Sequence, residues 1–283
     1  MFRWSVLVAL ALVPLSAVAQ PPAPAPNPPV RFGWQANQIL TYKVVQQTAV
    51  RETTLDEKTE KPVTTEARTS LTLVKKWTVK GVEANNVATL EMTITEMKSE
   101  YSRPDGKNVI RDSAKPEDAK EMASFLNVVV ITVKVDSQGK LVEVKEAKAG
   151  SAGRLQAELP FRLTLPEMGP VAAQTWDRAF TMKLDPPLGT GESYDFTQKY
   201  ACTGIKDGLV TIGVETTLKA PPKTLAERVP LVPMLWTGEV YFNATAGKYH
   251  AARLKVKAEL PNHLGEGTKF EYESTYTEDS IEK

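Results

Sequence analysis

Cysteine and histidine are scarce in this sequence of 283 residues. The one cysteine, Cys202, has no partner for an intramolecular disulfide, so side-chain packing must stabilise the fold. Two histidines, His250 and His263, are expected at the surface or in loops, and they exclude a His-rich or Cys-rich zinc site. A mixed site with carboxylates stays open. No other metal or cofactor motif is recognisable, so the sequence predicts no metal and no cofactor. Because no G-x-S-x-G motif is present either, the sequence favours a protein that is not an enzyme.

An excess of charge of one sign is also absent. The chain has 35 lysine and arginine residues against 34 aspartate and glutamate residues, for a net charge of +1. Proteins that bind nucleic acids or anionic membranes usually carry a basic surface. The composition therefore indicates no nucleic-acid partner.

After residue 19, no apolar run is long enough to cross about 30 Å of hydrocarbon, so we expect no transmembrane segment after signal cleavage.

The first thirty residues have the pattern of an export signal followed by a tether. Arg3 precedes an uncharged apolar stretch over residues 4–15, and Ala17-Val18-Ala19 fits the small-x-small cleavage rule. We expect residues 1–19 to be a signal peptide and the mature protein to be periplasmic or extracellular. Residues 20–30 are rich in proline and alanine, which favours an extended polyproline II spacer.

Apolar and polar residues alternate through most of the remaining chain. Leu90, Met92 and Ile94 alternate with threonine and glutamate, and Leu254 and Val256 alternate with lysine. Successive side chains of a strand point to opposite faces, so this period indicates strands with one buried face and one wet face. Such strands are typical of antiparallel sheets. The sequence predicts a mainly β fold, a β-rich α+β protein with a large twisted antiparallel sheet or half-barrel and few short helices.

Turn and helix signals divide the strands. Asx and glycine residues in the segments 136–139 and 243–247 predict hairpins. Short helices are predicted over residues 115–126, with Ser113 as the cap, and over residues 151–159 and 223–229.

The two halves of the chain have a similar layout of three strands, a helix and a hairpin. We predict a first β unit over residues 31–159 and a second over residues 160–283, derived by internal duplication, with Pro160–Pro170 as the join. The alternative is one continuous domain over residues 31–283.

A resemblance adds to this interpretation. The Trp34–Tyr42 opening strand, the VDSQGKLVEV hairpin at residues 135–144 and the Leu184–Tyr194 segment resemble a bacterial secreted family of unknown function. The layout is also similar to the half-barrel of periplasmic lipoprotein carriers and lipid-binding lipoproteins. That second family wraps an antiparallel sheet around helices and holds acyl chains between them. Neither family supplies a catalytic motif, and the lipidation cysteine of the lipoprotein members is absent here.

Three functions follow as hypotheses. The first is an exported, non-catalytic binding or carrier protein for an apolar ligand, because apolar ligands commonly lie between a sheet and its covering elements. The ligand contacts to examine first are apolar strand residues: Trp77, Met92, Trp176, Phe180 and Met182. The second is a cell-envelope structural or assembly protein that uses its sheet edges. The third is a hydrolase with an unrecognised site that uses scattered acidic or tyrosine residues, with Asp185 and Glu192 as the named candidates for acid and base. The ligand, the partner and the oligomeric state stay open.

Overall fold

The computed structural model describes residues 29–103, 106–148, 160–186 and 189–281. The predicted signal peptide, the tether up to residue 28 and the predicted helix over residues 151–159 lie outside these ranges. Within them the fold is mainly β, as the alternating pattern predicts, and one open antiparallel sheet of twelve strands accounts for it. No helix in these ranges combines the length and the apolar character that crossing a membrane requires.

The strands differ widely in length, and the longest has 21 residues. In chain order they are β1 (Ile39–Leu55), β2 (Pro62–Val82), β3 (Ala88–Ser102), β4 (Asn108–Asp112), β5 (Val129–Val135), β6 (Leu141–Ala147), β7 (Thr175–Lys183), β8 (Ser193–Lys206), β9 (Leu209–Leu218), β10 (Thr237–Asn243), β11 (Lys248–Pro261) and β12 (Lys269–Ser280). Their order in the sheet is β6-β5-β3-β2-β1-β12-β11-β10-β9-β8-β7, and β4 pairs with the far end of β3.

The pairing of β1 with β12 joins the two halves of the chain. Its register runs from Tyr42 opposite Ser280 to Thr53 opposite Lys269. From this seam, strands β1 to β6 extend to one edge of the sheet and strands β12 to β7 extend to the other. The two halves therefore share a single sheet within the described residues. The internal duplication and the division at residue 160 stay predictions.

Burial follows the alternation read from the sequence. In β8, Phe196, Gln198, Tyr200 and Cys202 are buried while the residues between them are more exposed. Cys202 is thus a buried strand thiol, and burial raises its pKa. The face of the sheet that carries the main core is called the inner face below.

Glycine at position 139 is required by conformation and by space. Gly139 lies in the turn between β5 and β6 with φ of +84°, a region that favours glycine. A Cβ atom at this position would lie 2.6 Å from a ring carbon of Phe32 and 2.7 Å from the carbonyl oxygen of Leu163. The predicted hairpin is therefore also a packing contact.

Only two short α-helices occur in the described ranges. Helix α1 spans Pro116–Glu121 and helix α2 spans Leu225–Arg228, which a 3-10 helix continues over Val229–Met234. In α2 the hydroxyl of Thr224 accepts a hydrogen bond from the Glu227 amide at 3.3 Å, as in a normal N-cap. The helix predicted over residues 223–229 is therefore present.

The prediction for the first helix was wrong in its N-cap residue and in its C-terminal end. Lys115 occupies the N-cap position, and the hydroxyl of Ser113 instead accepts a hydrogen bond from the Met97 amide at 2.9 Å. The helix also ends at Glu121 rather than at residue 126. The reason is tertiary, because Leu126 forms a β-bridge with Ile94 of β3, which the helical path would prevent.

Residues 160–166, which belong to the Pro160–Pro170 stretch predicted as the join between the halves, are part of the core. Phe161, Leu163 and Leu165 are almost completely buried in it. The amide of Leu165 donates to the carbonyl oxygen of Gln138 at 2.7 Å, and the Gln138 side chain donates back to the Leu165 carbonyl at 3.1 Å. The 160–166 segment therefore lies against the inner face of the sheet.

Candidate functional site

A cavity of about 210 Å³ opens on the inner face beside the 160–166 segment. Strands β1, β2, β3 and β5 supply most of its wall. The apolar and aromatic lining consists of Val44, Leu71, Leu73, Trp77, Met92, Ile94, Ile131, Val133, Leu141, Pro160 and Tyr276. Three further lining residues are polar, namely Gln46, Lys75 and Arg162. The site is therefore an apolar cavity with cationic side chains in its wall.

Strand register produces the apolar part of this wall. Trp77 of β2 lies directly opposite Met92 of β3, and Met92 lies opposite Ile131 of β5. Cross-strand neighbours of this kind have Cβ atoms about 5 Å apart and therefore form a continuous patch.

Lys75 is the charged residue in the apolar run of β2. Its ammonium forms an ion pair with the carboxylate of Glu278 on β12, and the two side chains reach each other across β1, which lies between their strands. The carboxylate side chain is fully buried, whereas the lysine side chain remains 12% exposed. Burial of the ammonium is the largest single effect and lowers the pKa of Lys75, but Glu278 and Tyr276 together outweigh burial, so the pKa is raised.

Two tyrosines complete the environment of Glu278. The hydroxyls of Tyr249 and Tyr276 donate to the same carboxylate oxygen, Oε2, at 2.9 Å and 2.6 Å. Burial, together with the nearby negative charge of Glu278, raises the pKa of Tyr276 to about 12 and that of Tyr249 well above its usual value. Both phenols therefore remain neutral donors at physiological pH and hold the carboxylate in place.

Arg162 adds the second cation. Its guanidinium carbon lies 4.5 Å from the ring centroid of Tyr276 and 5.5 Å from that of Trp236, both within the range of cation–π attraction. The residue has φ of +50°, which is uncommon for a residue other than glycine. Its position in the 160–166 segment brings it against the same cavity as Lys75.

The structure separates the five predicted ligand contacts into two groups. Trp77 and Met92 are opposite each other in the cavity wall. Trp176 instead stacks on Tyr200 with ring centroids 5.5 Å apart, and its indole N–H donates to the Thr164 carbonyl at 2.7 Å. Trp176 does not line this cavity, and neither do Phe180 and Met182.

Phe180 and Met182 belong to packing on the far strands. Phe180 stacks on Phe196 with ring centroids 5.3 Å apart. Met182 is buried in a small second core cluster with Phe196 and Leu231. These three residues therefore do not share a cavity with Trp77 and Met92.

The carboxylates of the hydrolase hypothesis already have partners. Asp185 lies 3.4 Å from the Lys183 ammonium. Glu192 accepts hydrogen bonds from the hydroxyl and the amide of Thr190, both at 2.7 Å, and these bonds lower its pKa. A lowered pKa is the opposite of what a general acid requires.

The histidines differ from each other. His250 is exposed, as expected. His263 lies in a loop but is buried, and its Nε2 is 2.9 Å from Oε1 of Glu52. Within the described ranges, no three histidine, cysteine, aspartate or glutamate side chains group closely enough to hold a metal ion.

Sequence reasoning missed Lys75, Arg162 and Glu278. A signal for two of them was available, because Lys75 and Glu278 occupy inner-face positions in the apolar alternations of β2 and β12. A charged residue at such a position is unusual unless it is paired. Arg162 has no comparable signal, since the path of its segment across the sheet is not a local property.

Comparison with known proteins assigns no family. No family model and no curated protein matches the chain. A structure of lipovitellin, described in terms of its lipid–protein interactions, aligns with a TM-score of 0.44 and 14% identity, covering 88% of this chain and 25% of that chain. This chain thus spans a quarter of that structure. DynF, from the dynemicin biosynthesis pathway of Micromonospora chersina, aligns with a TM-score of 0.21 and 9% identity, covering 96% and 93%. At these scores the similarity assigns neither a family nor a function.

Proposed function

We propose that this protein is an exported binding or carrier protein that holds the apolar part of a small ligand in the inner-face cavity. The observation that carries the proposal is the cavity of about 210 Å³ among apolar side chains of a packed core. Most of the lining is apolar, and an apolar ligand in this cavity removes both its own surface and that of the lining from water.

Export is the second part of the proposal, and it is supported by the signal-peptide pattern of residues 1–19. Removing apolar surface from water stabilises a complex by about 25 cal/mol for each Å² of buried area, so a carrier shields an apolar molecule that crosses an aqueous compartment. The apolar cavity on the inner face supplies that shielding without any catalytic group.

Uptake of the neutral fluorescent probe N-phenyl-1-naphthylamine tests the binding role. Leu73→Trp adds bulk to the cavity wall, and Thr72→Trp places the same indole side chain on the opposite face of β2. We expect the Leu73 variant to lose at least tenfold in probe affinity and the Thr72 variant to bind as the original protein does. Native mass spectrometry of protein purified from its own envelope identifies any retained small molecule.

Two results would contradict the binding role. The first is an absence of probe uptake together with an absence of any retained molecule. The second is equal probe affinity for the original protein and the Leu73 variant, which would locate binding elsewhere.

A structural or assembly role in the envelope is the second candidate, and the sheet edges favour it. Among the described strands, β6 and β7 each pair with one neighbour only. On the edge strand β6, Val142 is exposed, and an exposed apolar side chain beside unpaired backbone groups favours the docking of another strand. Light scattering after size exclusion distinguishes the two roles, because an assembly role predicts an oligomer that Val142→Lys dissociates. A monomer without a retained protein partner contradicts it.

A further inference from the structure

We propose that the cavity takes an amphiphile with one acyl chain and an anionic head group, and that the head group lies at Lys75 and Arg162. This inference rests on the proposed binding function and names the chemical class of the ligand. Its basis is the juxtaposition of apolar strand residues and two cationic side chains in the wall of one cavity.

The charge distribution favours an anion. Among the described residues that line the cavity, two are cationic and none is a carboxylate. Glu278, the partner of Lys75, is not part of this lining and is fully buried, while Lys75 keeps partial exposure. The lysine therefore separates the negative charge from the cavity. An ammonium has three N–H donors, and the contact with one Glu278 oxygen leaves donors for a ligand.

The same arrangement disfavours other head groups. A cationic head group would contact the Lys75 ammonium and the Arg162 guanidinium in the cavity wall, whereas Glu278 is not in the lining and is already paired with Lys75. A neutral hydroxyl would accept weaker hydrogen bonds than a carboxylate or a phosphate, because bonds between ionised partners are about twice as strong. Selectivity for the anion is thus a consequence of Lys75 and Arg162.

The size of the cavity limits the apolar part. An engineered cavity of about 150 Å³ accommodates one benzene molecule, and pockets for drug-sized ligands have volumes of about 300–1,000 Å³. At about 210 Å³, this cavity is suited to a segment of one chain rather than to a diacyl lipid.

Displacement of N-phenyl-1-naphthylamine from the full mature chain tests the inference, with four ligands below their micelle concentrations. Palmitate and monopalmitoyl phosphatidate carry anionic heads, hexadecanol is neutral and hexadecylamine is cationic. We expect each anion to bind at least tenfold more tightly than hexadecanol, and the amine to bind most weakly. The ratio between the two anions distinguishes a free fatty acid from a phosphate head group.

Variants assign the selectivity to the named residues. Arg162→Gln is expected to reduce the preference for palmitate over hexadecanol, measured as the ratio of the two affinities, about tenfold, and Arg162→Lys to restore most of that preference. Lys75→Met combined with Glu278→Gln removes a cation without leaving a buried charge, and supplies a second test should the arginine variant misfold. Lys76→Gln, on the opposite face of β2, is the matched control and should change nothing.

The outcomes separate this inference from the proposed function. Equal affinity for palmitate and hexadecanol overturns the anionic head group but leaves the carrier role intact. Binding of none of the four ligands overturns both. An anion preference that persists in the Arg162 variant and in the double variant overturns the assignment to these residues.

Discussion

Truncation of Phe161 tests whether the segment between the two halves of the chain is a structural part of the core. Its side chain is 1% exposed. Its ring lies 5.5–5.8 Å, centroid to centroid, from five aromatic neighbours, namely Phe32, Trp34, Tyr42, Trp77 and Tyr249. These neighbours come from the N-terminal segment and from β1, β2 and β11. Phe161 therefore contacts both halves of the sheet at once.

The expected cost of Phe161→Ala is about 4 kcal/mol in the free energy of unfolding. Substitutions of a buried phenylalanine by alanine typically cost about 3–5 kcal/mol, and partial relaxation of the surroundings sets the value within that range. We expect the upper half because five rings surround the site and aromatic pairs each add about 0.5–1.5 kcal/mol beyond area burial. Such a loss is a large part of the roughly 5–15 kcal/mol that stabilises most proteins.

Urea denaturation followed by tryptophan fluorescence measures this cost. Trp34 and Trp77 adjoin the site, so the signal reports on the region that the substitution perturbs. We expect a midpoint lower by about 1 M or more with an unchanged slope. Met168→Ala is the control, because Met168 lies beyond the same segment and is 77% exposed; its effect should stay within about 0.5 kcal/mol. A loss below about 1.5 kcal/mol for Phe161→Ala would refute the argument, since it would mean that the segment does not occupy the core in solution.

Three further predictions concern the turn and the buried charges. Gly139→Ala should destabilise the protein by about 2 kcal/mol more than Gly106→Ala, measured by urea denaturation, because both have positive φ but only the first would contact other atoms. Comparable losses would contradict this. Lys75→Met alone should cost about 3–5 kcal/mol because it leaves Glu278 buried without a counter-charge, and the double variant with Glu278→Gln should recover most of that loss in a thermodynamic cycle. If the losses of the two single variants simply add in the double variant, this prediction is contradicted. The pKa of Tyr276 is raised from 10.0 to about 12 in the folded state. The protonated phenol therefore contributes on the order of 3 kcal/mol to the free energy of unfolding below pH 10, and this contribution is lost as the pH rises through 12. Tyr276→Phe should flatten the alkaline part of the stability profile, and an unchanged profile would contradict this assignment.

Much of the architecture was predictable because its causes are local. The alternation in β8 indicates which residues are buried, and Cys202 is buried as that pattern predicts. Glycines at hairpin positions such as Gly139 adopt the positive φ that the turn requires. Helix limits were less predictable, since the bridge between Ile94 and Leu126 ends the first helix early and lies outside any local signal.

The candidate site shows where local reasoning stops. Trp77 and Met92 were recognisable as inner-face residues, but only the register of β2 against β3 makes them neighbours. Trp176 has the same kind of local signal but packs elsewhere, because β7 is the edge strand in the other half of the sheet, on the far side of the β1–β12 pair.

By itself, the sequence determined the mainly β class, the buried face of each strand and the positions of the tight turns, because these depend on side-chain period and on backbone conformation within a few residues. Only the tertiary structure decided which strands pair across the centre, the path of the 160–166 segment over the inner face, and the ion pair between Lys75 and Glu278, which are 203 residues apart in the numbering. The physical reason is that long-range contacts depend on which compact arrangement buries the most apolar surface while pairing every buried charge, and no local segment contains that information.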